Sequence, residues 1–259
     1  MTWTHHAIVL AFLFGLGAAV GSFLNVCIYR IPARMSLLRP PSRCPRCASA
    51  IAPRDNVPIL GWLALRGRCR SCRLPISVRY PLVEALAGVL FAAAYPAVLA
   101  SAPGDLLDAG IDLAVARLLH HALLVALVIT AAFIGHDTGN VPRRLTVTGM
   151  ALGLALGTVL PAARPEGAMA RTPGGGFAVG AFGLLLGVSL AQLARLVARR
   201  TGHPEAIGGD DGALLAMIGA FLGGRVILPI LLIAAVLVCL CTALAPGRLL
   251  AFRSYLGTA

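Results

Sequence analysis

Apolar residues run along this chain in stretches of about 20, the length a helix needs to cross a ~30 Å hydrocarbon layer. They cover residues 7 to 29, 81 to 100, 113 to 134, 145 to 161, 175 to 197 and 226 to 245, and a shorter run at 212 to 224 makes seven. The pattern predicts an all-α, polytopic membrane helix bundle of about seven transmembrane helices, with the run at 212 to 224 open to being re-entrant instead. A single polar stretch interrupts it near the start. The chain thus divides into a first transmembrane helix over 1–29, a loop over 30–80 and a membrane bundle over 81–259. Glycines recur inside the apolar runs, at Gly15, Gly17 and Gly21, at Gly149, Gly153 and Gly157, and at Gly176, Gly180 and Gly183. Small residues at such spacings let helices approach closely in lipid. No repeat of 20 to 50 residues stands out.

Composition agrees with that reading. Of 259 residues 58% are hydrophobic and 12% charged, about half the charged share of an ordinary soluble domain. The first run is preceded by His5 and His6 and by no lysine or arginine, so it reads as a retained helix rather than a secretory signal. The formal charge is +12, all 22 basic residues are arginine, and eleven of them lie between Arg30 and Arg79. Arginine-rich loops stay in the cytoplasm, so the N-terminus is expected outside and the 30–80 loop inside, with Arg143, Arg144, Arg195, Arg199, Arg200, Arg248 and Arg253 on the same side. Arg164, Arg171 and Arg225 then fall in outside loops. Nothing beyond raw charge points to nucleic acid.

Four of the seven cysteines form two pairs, Cys44-Pro-Arg-Cys47 and Cys69-Arg-Ser-Cys72, separated by 21 residues. On the reducing side of a membrane such pairs read as metal ligands rather than disulfides. Four thiolates with no open position suit a structural Zn²⁺, and a metal would supply folding energy that so short and basic a loop lacks. The expectation is a small zinc-ribbon-like loop. Cys27, Cys239 and Cys241 lie in apolar runs and read as buried small residues.

Taken together, Gly21-Ser22-Phe23-Leu24-Asn25-Val26-Cys27-Ile28-Tyr29-Arg30-Ile31-Pro32, the two cysteine pairs, Leu65-Arg66-Gly67-Arg68-Cys69 and Ile76-Ser77-Val78-Arg79-Tyr80-Pro81-Leu82-Val83-Glu84 resemble the N-terminal half of bacterial type IV prepilin peptidases. The likeness is nearly continuous from residue 21 to about 86 and looser beyond, where it includes Leu214 to Gly223. It implies a multi-pass aspartyl protease of the bacterial inner membrane, with a periplasmic N-terminus and the tetracysteine loop in the cytoplasm. Its substrates would be type IV prepilins or type II secretion pseudopilins, cut after the glycine that ends their basic leader. Relatives with the tetracysteine loop usually also methylate the new N-terminus, taking the methyl group from S-adenosylmethionine. The basic loop would lie against membrane lipid, near anionic headgroups. Such relatives usually end in a further apolar helix, whereas here Ala245 to Ala259 carries Arg248 and Arg253; the expectation is a bundle lacking that helix, or covering the face with a partner.

Peptide hydrolysis by carboxylates needs two of them sharing a proton at close range. The resemblance puts the first in an Ile-Asp pair ahead of Ile-Pro-Asp and the second in Gly-x-Gly-Asp-x-Lys. Here the first segment reads Ile134-Gly135-His136-Asp137, with Arg143 in place of the trailing aspartate. The second reads Gly208-Gly209-Asp210-Asp211-Gly212-Ala213, which puts Asp211 on the catalytic position and Ala213 where the lysine belongs. Two readings follow. In one, Asp137, freed by flexible glycines at 135 and 139, takes the vacant place beside Asp211 as the catalytic pair. In the other, the protease centre is lost and the chain binds pilin segments or assembly proteins without cutting. Capping of a helix by Asp210 and Asp211 is the plainer account of those two acids. Glu84, costly at its depth unless paired, is expected to hold Arg79 and tie the loop to the membrane, with substrate or methyl-donor binding as the other reading.

Overall fold

The computed structural model describes residues 3–101, 111–164, 172–201, 208, 210–225, 227 and 229. Its helices are α1 (Trp3–Arg30), α2 (Leu60–Ala64), α3 (Arg79–Ser101), α4 (Ile111–Thr138), α5 (Arg143–Val159), α6 (Pro173–Arg200) and α7 (Asp211–Leu222), with single 3₁₀ turns at Pro53–Asp55 and Pro161–Ala163. Among the described residues there is no strand, only isolated bridges at Arg43–Ala50 and Arg68–Pro75. The all-α membrane bundle expected from the sequence is what forms.

Four helices, α1, α3, α4 and α6, are long and apolar enough to cross a membrane. The run predicted at 145 to 161 becomes α5, 17 residues or about 26 Å of helix, and the run at 212 to 224 becomes the 12-residue α7. The span expected over 226 to 245 falls outside the described residues except for Ile227 and Pro229, as do Cys239, Cys241 and the segment from Ala245 to Ala259.

Glycine contacts fix the packing directions. A Cβ on Gly17 would lie 2.6 Å from the Ala87 carbonyl, and one on Gly21 2.7 Å from the Glu84 Cα, so α1 and α3 run antiparallel at close approach. Gly183 and Gly219 touch backbone to backbone where α6 crosses α7, whereas Gly149 and Gly153 face Met217 and Phe221 along parallel α5 and α7. With so little side chain between them, the backbones gain dispersion contact that lipid cannot supply. Leu24, Ile28, Val83, Ala87, Ile129 and Ile134 form a core where α1, α3 and α4 meet.

One expected loop residue turns out to be interior. Arg164 is 1% exposed, and its guanidinium donates to the carbonyls of Gly176 (2.8 Å), Gly153 (3.0 Å) and Ala220 (2.6 Å). The glycines of α5 and α6 leave the room it fills, since a Cβ on Gly157 or Gly180 would collide with it. An arginine at such depth is tolerated because three backbone acceptors, one each from α5, α6 and α7, surround it.

Antiparallel stacking brings the end of α1, the start of α3, the end of α4 and the starts of α5 and α7 to one end of the bundle. The cysteine loop and both aspartate segments belong to that end.

Candidate functional site

The cysteine loop is built from two copies of one turn. In the first, the Cys44 amide donates to the Ser49 carbonyl (2.9 Å) and the Ala48 amide to the Cys44 carbonyl (2.9 Å). In the second, Cys69 donates to Leu74 (2.9 Å) and Arg73 to Cys69 (3.0 Å). Ala48 and Arg73 both take positive φ, 56° and 61°, and the two bridges are offset by the same 25 residues. The absence of a repeat read from the sequence is corrected here: Arg43-Cys44-x-x-Cys47-x-x-x-Ile51 recurs as Arg68-Cys69-x-x-Cys72-x-x-x-Ile76, a unit too short for a search tuned to whole repeats.

All four sulfurs lie within 4.8 Å of one another, with Cys44–Cys72 at 3.9 Å and Cys47–Cys69 at 4.0 Å. Tetrahedral Zn–S bonds of about 2.3 Å require sulfur separations of about 3.8 Å, so the donor set fits such an ion. The amides of Cys72 and Ser71 point at the Cys69 sulfur and bring its thiol down to about 6. Cys72 moves to about 11: the Leu74 amide favours its thiolate, but burial and the three neighbouring thiols outweigh it. Four sulfurs this close cannot all ionise without a cation among them.

The rest of the loop is fastened by polar contacts. Arg30, the last residue of α1, donates to the loop carbonyls of Ser36 (2.8 Å) and Pro40 (2.7 Å). Arg70 grips Asp55 through two hydrogen bonds of 2.7 and 2.6 Å, and this guanidinium holds the Asp55 carboxyl below the usual carboxylate range. The Trp62 indole donates to the Ile76 carbonyl at 3.0 Å.

Asp137 does not lie in a loosened loop. It sits in the last turn of α4, which ends at Thr138 and is closed by Gly139 at φ 73° with its amide on the Gly135 carbonyl (2.9 Å). There Arg79 grips both its oxygens, at 2.8 and 2.6 Å, with the guanidinium also 5.0 Å above the Phe133 ring. Phe133 and Asp137 are one turn apart and share a face, whereas position 135 lies about 200° round the helix from each. A Cβ on Gly135 would meet Val141 at 3.1 Å. Arg79 is therefore the partner of Asp137 and not of Glu84, which accepts from the Ile59 amide at 2.7 Å.

The second segment reaches the first through Asp210. As the residue before α7, Asp210 makes no side-chain cap; its Oδ2 accepts from the Val141 amide at 2.7 Å, across 69 residues of chain. Asp211 opens α7, and its Oδ2 accepts from the Gly208 amide at 2.7 Å. The fold thus gathers Asp137, Asp210 and Asp211 at one end of the bundle, with Asp137 held by Arg79 and Asp211 by its own segment. Local sequence carries no signal for the Arg79–Asp137 and Asp210–Val141 contacts, which join residues 58 and 69 apart.

Comparison with known proteins bears on both halves. Residues 15–98 match the Bacterial Peptidase A24 N-terminal domain and residues 122–244 the Type IV leader peptidase family. A Myxococcus xanthus protein named prepilin leader peptidase/N-methyltransferase is 42% identical over 86% of this chain, which spans 59% of that relative's length. Proteins of the same name from Klebsiella pneumoniae and Neisseria gonorrhoeae are 37% and 32% identical, over 87% and 92% of this chain and 90% and 83% of theirs. No solved structure matches.

Proposed function

Since the chain belongs to the type IV leader peptidase family, we propose that it is a membrane aspartyl endopeptidase removing the leader of type IV prepilins or type II secretion pseudopilins at the cytoplasmic face of the bacterial inner membrane. In this reading the N-terminus is periplasmic, the cysteine loop cytoplasmic, and Cys44, Cys47, Cys69 and Cys72 hold one structural Zn²⁺. The new N-terminus is methylated from S-adenosylmethionine, in keeping with the name its relatives carry.

One observation carries the protease reading. Asp210 fastens the start of α7 to the α4–α5 turn, so both aspartate segments open onto the same end of the bundle. Asp211 is the carboxylate whose position matches the family pattern, and Asp137 is its partner, entering the pair when it leaves Arg79. The two then share one proton, one accepting from the attacking water while the other donates to the scissile amide.

Cleavage of a prepilin by the full-length protein in detergent or lipid tests this. Wild type cuts, and Asp137→Asn and Asp211→Asn each abolish cutting. A well-folded wild type that leaves the leader intact removes the protease reading. If Asp137→Asn cuts normally while Asp210→Asn and Asp211→Asn do not, Asp210 completes the pair, in line with the contact of position 135 with Val141.

A further inference from the structure

α7 ends where a helix is hardest to end. Its 12 residues span about 18 Å, so from a start at one face it stops inside a ~30 Å hydrocarbon layer, with the carbonyls of its last turn away from water. Each of them needs a donor from within the protein. The Gly219 carbonyl takes the Gly223 amide at 2.8 Å, a bond within the turn itself. The next two are served from far along the chain. The Arg164 guanidinium donates to Ala220 at 2.6 Å across 56 residues, and the His120 Nε2 donates to Phe221 at 3.0 Å across 101.

Both donors belong to the hairpin of α4 and α5. His120 lies on α4 and is 3% exposed. Arg164 follows the 3₁₀ turn after α5, and that turn is held to α4 by Arg117, whose Nε donates to the Ala162 carbonyl at 3.0 Å. Arg117 and His120 are three residues apart, on one face of α4. The His120 Nδ1 and the Arg117 Nη1 are buried with no hydrogen-bond partner, a cost that leucine at either position would not carry. Simple packing therefore does not account for these two side chains, whereas the directed bond each makes does.

The opposite end of α7 is tied to the same hairpin, through the bond from the Val141 amide to Asp210. α7 is thus a strut gripped at both ends by α4 and α5, over about 16 Å from Asp210 to Phe221. Glycine contacts set how close it lies to its neighbours, and the end bonds set its height. Height bears on chemistry because Asp211 opens the helix. Any slide of α7 along α4 carries Asp211 by the same distance past Asp137.

We infer that His120 and Arg164 are positioning residues for the proposed peptidase reaction, fixing the height of α7 from its far end so that Asp211 meets the end of α4. The inference rests on Asp211 being a reacting carboxylate and places the control of its register about 15 Å away, at the other end of the helix.

Two readouts on the full-length protein in detergent test it, one of them independent of cleavage. His120→Leu keeps bulk and removes the donor. His120→Gln returns an amide nitrogen near the Nε2 position, whereas His120→Asn puts one at the Nδ1 position, away from Phe221. Deuterium exchange is followed in the segment carrying the Val141 amide, with Asp210→Ala giving the fully released rate. His120→Leu and His120→Asn should speed exchange there by about fivefold and His120→Gln by less than about twofold, because loosening one end of a strut opens the other. On a purified prepilin, Leu and Asn at this position should lower kcat about tenfold with KM within about twofold, the effect of about half an ångström at a centre that loses a hundredfold per 1 Å. Arg117→Met, which frees the turn carrying Arg164, should reproduce both effects at about threefold. Faster exchange confined to residues 219–224 makes these side chains local caps and overturns the inference. So does a wild-type kcat in His120→Leu, a His120→Gln as slow as His120→Asn, or an Arg117→Met that matches wild type in both readouts. If His120→Leu does not fold, the comparison of Gln with Asn decides. A wild type that leaves the leader uncut removes the protease reading, and the exchange measurement then decides the strut by itself.

Discussion

Replacing Asp210 tests whether it ties the site together or reacts in it. Its Oδ2 takes the Val141 amide at 2.7 Å, short for a nitrogen donor and assisted by the carboxylate charge. Hydrogen bonds to charged groups contribute about 1.5–3 kcal/mol, and both residues are only partly buried, so the lower half of that range applies. Asp210→Ala then loses about 1.5–2 kcal/mol from the equilibrium between tied and untied segments, roughly tenfold to thirtyfold. Catalytic geometry loses about a hundredfold per 1 Å of misplacement, so kcat for leader cleavage should fall about tenfold to a hundredfold. KM should change little, because Asp210 acts on the turn rather than on substrate. Asp210→Asn keeps an oxygen for the Val141 amide and should recover most of the loss, whereas Asp211→Asn should recover none. Time courses on a purified prepilin, with thermal unfolding as a control for folding, give the answer. A wild-type rate in Asp210→Ala refutes the tie, and an Asp210→Asn as inactive as Asp211→Asn makes Asp210 a reacting carboxylate.

Metal analysis of protein purified without chelator should give about one zinc per chain, falling to a small fraction in Cys69→Ser, and no zinc in the wild type would remove the assignment. Gly219→Val puts two methyl groups against the Gly183 backbone and should destabilise the α6–α7 contact by about 1–3 kcal/mol, seen as a lower unfolding midpoint in detergent. Arg70→Ala tests the Asp55 ion pair through its pH dependence. The Asp55 carboxyl is depressed when folded, so the pair stabilises the module above the unfolded value of about 3.9 and loses that effect as pH falls through the lower folded value. The difference between wild type and Arg70→Ala in Trp62 fluorescence melts should be constant near neutrality and close below about pH 4; a gap that instead widens in acid would contradict the sign.

What the sequence showed and what it hid divide along the distance between partners. The membrane runs and the two Cys-x-x-Cys turns are local, written in consecutive residues, and among the described residues the helices and sulfur cluster formed where expected. Arg164 was hidden because its acceptors belong to three helices, and a window of loop sequence around Pro161 cannot see the cavity that Gly153, Gly157, Gly176 and Gly180 leave for it. The expected Glu84–Arg79 pair failed for a geometric reason. Five residues along a helix rotate a side chain by about 140°, so Arg79 turns to α4 and Asp137 while Glu84 turns to α1 and the cysteine module.

That same turn of helix explains how the two halves of the chain communicate. Ile76 ends the second cysteine turn and accepts the Trp62 indole; three residues later Arg79 begins α3 and grips Asp137. The cysteine module therefore leads directly into the guanidinium that grips Asp137 at the end of α4. Glu84, one and a half turns further, reports to the same module from its other side through Ile59. One short stretch of α3 thus links the sulfur cluster to the end of α4 through Arg79 and to the Ile59 backbone through Glu84, a physical route by which ordering of the cysteine loop reaches Asp137.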